Sequence, residues 1–197
     1  MKNSTFALKT KHQVIEILNK SFEKYISVEE IQEKVALLAQ EINADFSQKE
    51  VEFISILDGS FMFASDLFKK INLQTTISFL KIKSYEATES TGKINELIGL
   101  QSKITGKHIV IIEDIIDTGA TMDYVVETLQ KQRPASISIA TLMFKPNAFK
   151  GKYSPKYIGF NISNEFIVGY GMDFDGYGRN LESIYQIKGS DPKIPLC

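Results

Sequence analysis

The sequence has very few of the residues that stabilise domains through disulfide bonds or bound metal ions. Its 197 residues include one cysteine, two histidines and no tryptophan. The only cysteine, Cys197, is the last residue of the sequence, so neither a disulfide framework nor a thiolate metal site is available. The histidines, His12 and His108, are far apart and give no spacing typical of a metal site or a catalytic dyad. The chemistry must therefore come from other side chains.

Excess charge and long apolar segments are scarce as well. Lysine and arginine number 23 against 24 aspartates and glutamates, whereas a protein that coats nucleic acid shows a basic excess. No apolar run approaches the roughly 20 residues that span a membrane, and the first residues, MKNSTFALKTKHQ, lack the apolar segment of a signal peptide. We therefore expect one globular domain over residues 1–197, cytoplasmic, without a membrane partner and without a nucleic-acid partner.

The most informative stretch is His108–Met122, which reads HIVIIEDIIDTGATM. Its β-branched run Ile109–Ile112 is typical of a strand buried on both faces. Two acidic residues, Glu113 and Asp114, follow this run. A loop rich in threonine and glycine, Asp117–Thr121, then leads into a segment with apolar residues at helical spacing. The stretch thus predicts a strand, an acidic edge, a small polar loop and a helix.

Each part of this unit suits a particular chemistry. The first N–H groups of a helix, together with threonine hydroxyls and a glycine that permits close approach, suit a phosphate monoester at residues 118–121. Glu113 and Asp114 suit the hydroxyls of a sugar or a metal ion, and Asp117 is placed to face a reacting atom. Ligands of open α/β sheets bind at the carboxyl ends of strands, where this loop would lie. A capping role alone is the alternative for a short triplet such as Asp-Thr-Gly.

Three other segments are predicted to meet this edge of the sheet. A buried strand over Val51–Leu57 is followed by Asp58-Gly59-Ser60 and a helix. The polar stretch Ser84–Asn95 is long for a connection, which favours a lid over the reaction centre, with plain surface disorder as the alternative. A further buried strand, Ser136–Phe144, ends at Lys145-Pro146, which directs a lysine to the same edge.

The motif IVIIEDIIDTGATM resembles the phosphoribosyl-pyrophosphate (PRPP) binding motif of the type I phosphoribosyltransferases. Its acidic pair and D-T-G-x-T pattern resemble those of the hypoxanthine-guanine phosphoribosyltransferases, and the resemblance extends from about Val51 to Ile187. It implies an α/β fold with a Rossmann-like central parallel sheet flanked by helices, with the core at about 27–150. It also implies a small hood built from N- and C-terminal segments (about 151–188), a flexible lid loop and a homodimer or homotetramer.

The resemblance assigns roles to particular residues. The 5′-phosphate would be bound by Thr118, Gly119, Ala120 and Thr121, and the catalytic residues would be Asp117, Glu113 and Asp114, with Asp117 as general base. Pyrophosphate would be bound by Asp58, Gly59, Ser60 and Arg179, and the lid would begin at Ser84 and Tyr85. The purine would be bound by Lys145, Phe166, Ile167 and Asp173. A magnesium ion (Mg²⁺) would be held by Asp173 together with Glu113 and Asp114.

The implied reaction is purine salvage: transfer of 5-phosphoribosyl from PRPP to hypoxanthine or guanine, giving IMP or GMP and pyrophosphate. The alternatives are the same fold acting on xanthine, or a non-catalytic regulator that senses PRPP or nucleotide. Asp58 departs from the mammalian pattern, which has lysine there, and could orient the loop, hold a magnesium-bound water or cap the next helix. Gly178 replaces a larger aromatic residue of the mammalian relatives.

The N-terminal part of the sequence gives a weaker signal. Val14, Ile15, Ile17 and Leu18 fit either an edge strand or a helical turn. From Ser27 onward, Ser27-Val28-Glu29-Glu30 fits a capping box, and Ile31, Val35, Leu38 and Ile42 follow at helical spacing. We therefore predict that a core-packing helix begins at Ser27, and leave the conformation of residues 1–26 open.

Overall fold

The computed structural model describes residues 14–82 and 103–189 in full, and the backbone alone of residue 83 and residues 95–98. The predicted lid residues Ser84 and Tyr85 lie outside these ranges. In chain order the described elements are β1 (Val14–Ile17), β2 (Lys20–Ile26), α1 (Val28–Asp45), β3 (Val51–Leu57), α2 (Phe61–Phe68), β4 (Thr76–Lys83), β5 (Asn95–Ile98), β6 (His108–Ile116), α3 (Ala120–Gln130), β7 (Ser136–Phe144), β8 (Tyr157–Asn161), β9 (Ile167–Val168) and β10 (Ile184–Ile187).

The larger sheet has the strand order β5-β4-β3-β6-β7-β8, and all its strands are parallel except β5. The central strands β3 and β6 carry the continuous apolar runs that predicted burial on both faces. Helices α1 and α2 cover one face, and α3 covers the other. This is the predicted Rossmann-like arrangement, and it brings the carboxyl ends of β3, β6 and β7 to one edge.

The smaller sheet is antiparallel, with the order β1-β2-β10-β9. It joins N- and C-terminal segments, as expected for the hood, and packs around Phe22, Phe166, Val168 and Tyr185. The open question at Val14–Ile17 is answered by a strand, which turns at Leu18 (φ 54°) and pairs with β2. Strand β8 pairs with β7 in the larger sheet, so the core extends beyond the expected limit near residue 150.

Helix α1 begins as its sequence predicts. The Ser27 side chain accepts a hydrogen bond from the Glu30 N–H, and the Glu30 carboxylate accepts one from the Ser27 N–H, which is a complete capping box. The stripe Ile31, Val35, Leu38 and Ile42 is buried. None of the described helices combines the length and the apolar character needed to span a membrane.

Replacing Ser27 with alanine should lower the free energy of unfolding by about 1 kcal/mol, because the N–H of Glu30 loses its acceptor. Urea denaturation of the two proteins measures this difference. The effect should be confined to stability, since Ser27 lies at the start of a helix that packs against the core. An unchanged unfolding midpoint would contradict the assigned cap.

Candidate active site

The loop after β6 packs against the segment that follows β7. Gly119 adopts φ 89°, and a Cβ added there would lie 2.5 Å from Cε2 of Phe149, so only glycine fits. The Lys150 N–H donates to the Thr118 carbonyl at 3.0 Å. Helix α3 then begins at Ala120, and the first N–H groups of a helix have no partner within it. The loop therefore presents N–H groups and threonine hydroxyls on a rigid support.

A cavity of about 350 Å³ opens in front of this loop, and we call it the loop cavity. Its lining comprises Glu113, Ile115, Ile116, Asp117, Thr118, Gly119, Ala120, Thr121 and Met122. The four residues predicted to bind a phosphate thus share one cavity with Glu113 and Asp117. A phosphate group placed here would face the positive end of the α3 dipole.

The acidic pair at the end of β6 is largely removed from water. Asp114 is 6% exposed, and its carboxylate accepts a hydrogen bond from the Ile115 N–H at 2.9 Å. The Oε2 atom of Glu113 is buried and has no hydrogen-bond partner among the described residues. Burial, and then the charge of Asp114, raise the pKa of Glu113 well above its usual value, and burial also raises the pKa of Asp114. An unpartnered acidic oxygen on a residue that lines the loop cavity suits a ligand hydroxyl.

The turn after β3 packs directly against Asp114. A Cβ added to Gly59 would lie 1.8 Å from Oδ2 of Asp114, so glycine alone permits this approach. The preceding Leu57–Asp58 peptide bond is cis. The Ser60 hydroxyl points into the core, where it is hydrogen-bonded to the Ser55 hydroxyl and to the Ile56 carbonyl. Only the backbone of Ser60 is therefore left for the predicted pyrophosphate contact.

Asp58 does not cap the helix, which was one of its predicted roles. The N-cap of α2 is Ser60, and the Asp58 carboxylate instead accepts two 2.8 Å hydrogen bonds from the ammonium of Lys81 on β4. The parallel register places Lys81 beside Leu57, which explains the pairing. Both side chains are partly exposed, so the ion pair fixes the orientation of Asp58 more than it stabilises the fold.

A second cavity, of about 200 Å³, lies beside the first, and we call it the hood cavity. Its lining comprises Gly59, Asp114, Ile115, Lys145, Phe166, Ile167, Met172, Asp173 and Arg179. Ile115 lines both cavities, so the two spaces adjoin. The structure thus brings every residue predicted to bind the purine, together with Gly59 and Arg179, to one concave surface.

An ion pair connects the two cavities. The Lys145 ammonium donates to Oδ2 of Asp117 at 2.9 Å and to the Asn164 carbonyl at 3.4 Å. The side chains of Lys145 and Asp117 are only 3% and 9% exposed. Because each compensates the charge of the other, the pair holds an acid and a cation at the boundary between the cavities.

The far wall of the hood cavity is fixed by Arg179. Its Nη2 forms an ion pair with Oδ1 of Asp173 at 2.7 Å, and its Nη1 donates to the Gly171 carbonyl at 2.7 Å. The other Asp173 oxygen accepts from the Gly176 N–H at 2.6 Å. Asp173 keeps 28% of its side chain exposed, so it still offers oxygen to a ligand at the cavity.

Phe166 both packs within the hood and forms a wall of the hood cavity. It packs within the hood against Phe22 and Phe174, with ring centroids 6.4 and 5.7 Å apart. It also lines the hood cavity. The ring is therefore a wall that is already fixed before a flat heterocycle arrives.

Comparison with known proteins decides the family. The family model described as "Phosphoribosyl transferase domain" matches residues 27–175. The hypoxanthine-guanine phosphoribosyltransferase of Staphylococcus aureus is 40% identical over 167 residues, which are 84% of this chain and 93% of that protein. The chain belongs to the hypoxanthine-guanine phosphoribosyltransferase family.

Solved structures of the hypoxanthine-guanine phosphoribosyltransferase family share the fold. A hypoxanthine phosphoribosyltransferase from Staphylococcus aureus superimposes with a TM-score of 0.80 at 40% identity, covering 84% of this chain and 91% of that chain. A hypoxanthine-guanine phosphoribosyltransferase from Bacillus anthracis gives 0.79 at 38% identity, covering 88% and 100%. These relatives confirm the family and the fold class that the motif predicted.

Sequence reasoning missed several residues that shape the site of this phosphoribosyltransferase. Phe149 and Lys150 support the loop between β6 and α3, and Lys81 forms an ion pair with Asp58. No local pattern marks these residues, because each acts on a segment more than 20 residues away. The Lys81 contact depends on the parallel pairing of β4 with β3, which the structure shows.

Proposed function

We propose that this chain transfers the 5-phosphoribosyl group of PRPP to hypoxanthine or guanine, giving IMP or GMP and pyrophosphate, as a step of purine salvage. The observation that carries the proposal is the pair of adjoining cavities with Asp117 and Lys145 at their boundary. One cavity has the chemistry of a phosphate site, and the other has an aromatic wall and a buried cation. A sugar that bridges them would present its anomeric carbon between the two.

The acidic edge would act on the ribose. Breaking the bond between the anomeric carbon and pyrophosphate builds positive charge on the sugar ring, which nearby carboxylates stabilise. The unpartnered Oε2 of Glu113 would accept a ribose hydroxyl, and Asp114 lies beside it. Gly59 and Arg179 both line the hood cavity. The Gly59 backbone and the Arg179 guanidinium would bind the leaving pyrophosphate there.

Lys145 and Asp117 would act on the purine. An ammonium has three N–H donors, and the described partners of Lys145 take two of them. The third N–H of Lys145 would donate to the 6-oxygen of hypoxanthine or guanine. Adenine has an amino group at this position, which is itself a donor. Asp117 would accept the N7 proton of the purine while another nitrogen of the ring forms the bond to the sugar. Phe166 would stack on the base, and the Ile167 backbone would read its edge.

The residues present fit a magnesium ion that arrives with PRPP. The two cavities are lined by four carboxylates (Glu113, Asp114, Asp117 and Asp173) and two cations (Lys145 and Arg179), a negative excess that would repel a polyanion. No cluster of three candidate ligands occurs within the described ranges, and magnesium is commonly held by one or two carboxylates plus substrate phosphates. Asp173, Glu113 and Asp114 would each offer a carboxylate to the ion without forming one cluster, so substrate phosphates would complete its coordination, and the ion would neutralise charge on the leaving group.

The direct test is nucleotide formation by the purified protein with magnesium and PRPP, offered hypoxanthine, guanine, xanthine or adenine separately. We expect IMP and GMP with the first two bases and no product with adenine. Failure to form nucleotide with any base, despite binding of PRPP, would favour a sensing regulator. We also expect a homodimer or homotetramer, which sedimentation analysis measures.

Replacing Glu113 with glutamine should separate stability from activity. A raised pKa means that the folded state holds its proton more tightly than the unfolded state, so ionisation destabilises the fold as the pH rises above the usual value of 4.5. The variant lacks this charge and should melt a few degrees higher at pH 8, with little difference at pH 4. It should also bind PRPP more weakly. Equal melting temperatures at pH 8 would contradict the buried, ionisable Glu113.

A further inference from the structure

The turn Gly169–Met172 connects the residues proposed to read the purine with those proposed to hold pyrophosphate. It follows β9 and leads to Asp173 and Arg179. Gly169 and Met172 exchange backbone hydrogen bonds of 3.0 and 3.1 Å, and the Gly171 N–H donates to the Arg179 carbonyl at 2.9 Å. Between the glycines, Tyr170 adopts φ 50°, a conformation that bulky side chains rarely adopt. Such a turn needs support from outside itself.

This turn sits directly on the pyrophosphate loop. A Cβ added to Gly171 would lie 2.1 Å from the Gly59 carbonyl oxygen. The same Gly171 accepts the Nη1 hydrogen bond of Arg179 through its own carbonyl. A displacement of the turn would therefore move Arg179 and release Gly59 together.

The side chain of Tyr170 connects the turn to α2, in addition to the backbone hydrogen bonds that join the turn to Arg179 and Leu181. It is 2% exposed, and its hydroxyl donates to Oδ2 of Asp66 on α2 at 2.7 Å. Asp66 is held in turn by the Gln32 amide from α1 at 2.5 Å and by Lys69 at 2.6 Å. Burial, together with the Asp66 carboxylate, raises the pKa of Tyr170, so the hydroxyl stays a donor. The anchor belongs to the helix that begins immediately after Gly59 and Ser60.

We propose that Tyr170 is a positioning residue: its hydrogen bond to Asp66 fixes the Gly169–Met172 turn, and so keeps Arg179 and the Gly59 backbone aligned on pyrophosphate. The inference rests on the proposed function, because it names what aligns that site. Neither Tyr170 nor Asp66 lines the loop cavity or the hood cavity, so the pair acts through the turn. A hydrogen bond to a charged acceptor is strong enough to hold a strained turn.

The chain offers a closely matched control for Tyr170→Phe. Tyr157 is 1% exposed, and its hydroxyl donates to Oδ2 of Asp45 at 2.7 Å, with Lys156 on the same carboxylate at 2.6 Å. Tyr157 and Asp45 line neither cavity. Tyr157→Phe and Tyr170→Phe thus each remove a hydrogen bond from a buried tyrosine to an aspartate that also pairs with a lysine, one remote from the site and one beneath it. Both should lower the melting temperature, Tyr157→Phe by less, because the Asp45 side chain is 43% exposed and that of Asp66 is 19% exposed.

The kinetic constants then distinguish positioning from mere stability. In Tyr170→Phe, KM for PRPP and the inhibition constant for pyrophosphate should each rise about tenfold with kcat nearly unchanged, as expected when ground-state binding is lost. Tyr157→Phe should keep wild-type constants. Asp66→Asn retains a neutral acceptor for the hydroxyl and should raise these constants less than Tyr170→Phe does, whereas Asp66→Ala should resemble Tyr170→Phe.

Equal kinetic changes in the two tyrosine variants, or wild-type constants in Tyr170→Phe, would overturn this role for Tyr170. A loss confined to kcat would overturn it as well, because a misaligned pyrophosphate site weakens binding. The wild-type assay separates this outcome from a failure of the proposed function. If the wild type forms no nucleotide, the reaction itself is wrongly assigned.

Discussion

Replacing Asp117 with asparagine is expected to reduce turnover by about 100-fold or more while leaving PRPP binding nearly unchanged. The carboxylate lies at the boundary of the two cavities, where it would take the purine proton during bond formation. Asparagine has the same shape and keeps an acceptor for the Lys145 ammonium, but it cannot accept that proton. The loss should therefore appear in the chemical step.

Single-turnover measurement of nucleotide formation, alongside calorimetric titration with PRPP and magnesium, tests this expectation. Asp45→Asn is a matched control, because it makes the same chemical change at an aspartate that lines neither cavity. Turnover of the Asp117 variant within a few-fold of wild type would remove Asp117 from the chemistry. A parallel loss of PRPP affinity would assign it to binding instead.

The parts of the site that lie within one continuous segment were predictable from sequence. In His108–Met122 the β-branched run, the acidic pair and the Asp-Thr-Gly loop each have a local physical meaning, and a strand, a loop and a helix follow one another as that pattern predicts. The strand is longer than predicted, because β6 continues through Glu113 and Asp114 to Ile116 instead of ending before the acidic pair. The capping box at Ser27 is local in the same sense. Runs of apolar residues also predicted β3 and β7 with the bounds observed, Val51–Leu57 and Ser136–Phe144.

Contacts between distant segments were not predictable. Asp117 and Lys145 were each assigned to the site, but their ion pair depends on how β6 and β7 end relative to each other. The approach of Gly59 to Asp114 depends likewise on the register of β3 against β6. Asp58 was assigned as a possible cap from its position just before a helix. Its observed partner, Lys81, is 23 residues away, so no local pattern indicated that contact. At Val14–Ile17, strand pairing with β2 decided a conformation that local propensity left open.

Replacing Lys145 with alanine is expected to raise KM for hypoxanthine and guanine by about 100-fold, since a charged hydrogen bond to the 6-oxygen is lost. PRPP affinity should change far less, because the residues around the loop cavity remain. The substitution also leaves Asp117 buried without its partner, which should cost about 3–5 kcal/mol of stability. Two different effects thus follow from one side chain.

The double variant Lys145→Ala with Asp117→Asn separates these effects. Because the uncompensated charge is gone, its melting temperature should recover most of what Lys145→Ala loses, whereas KM for the purines should remain high. Lys152→Ala, which truncates a lysine that is 65% exposed and lines neither cavity, controls for loss of a positive charge. Equal weakening of purine and PRPP binding in Lys145→Ala would contradict a role specific to the base, and recovery of purine KM in the double variant would mean that the lysine serves only to neutralise Asp117.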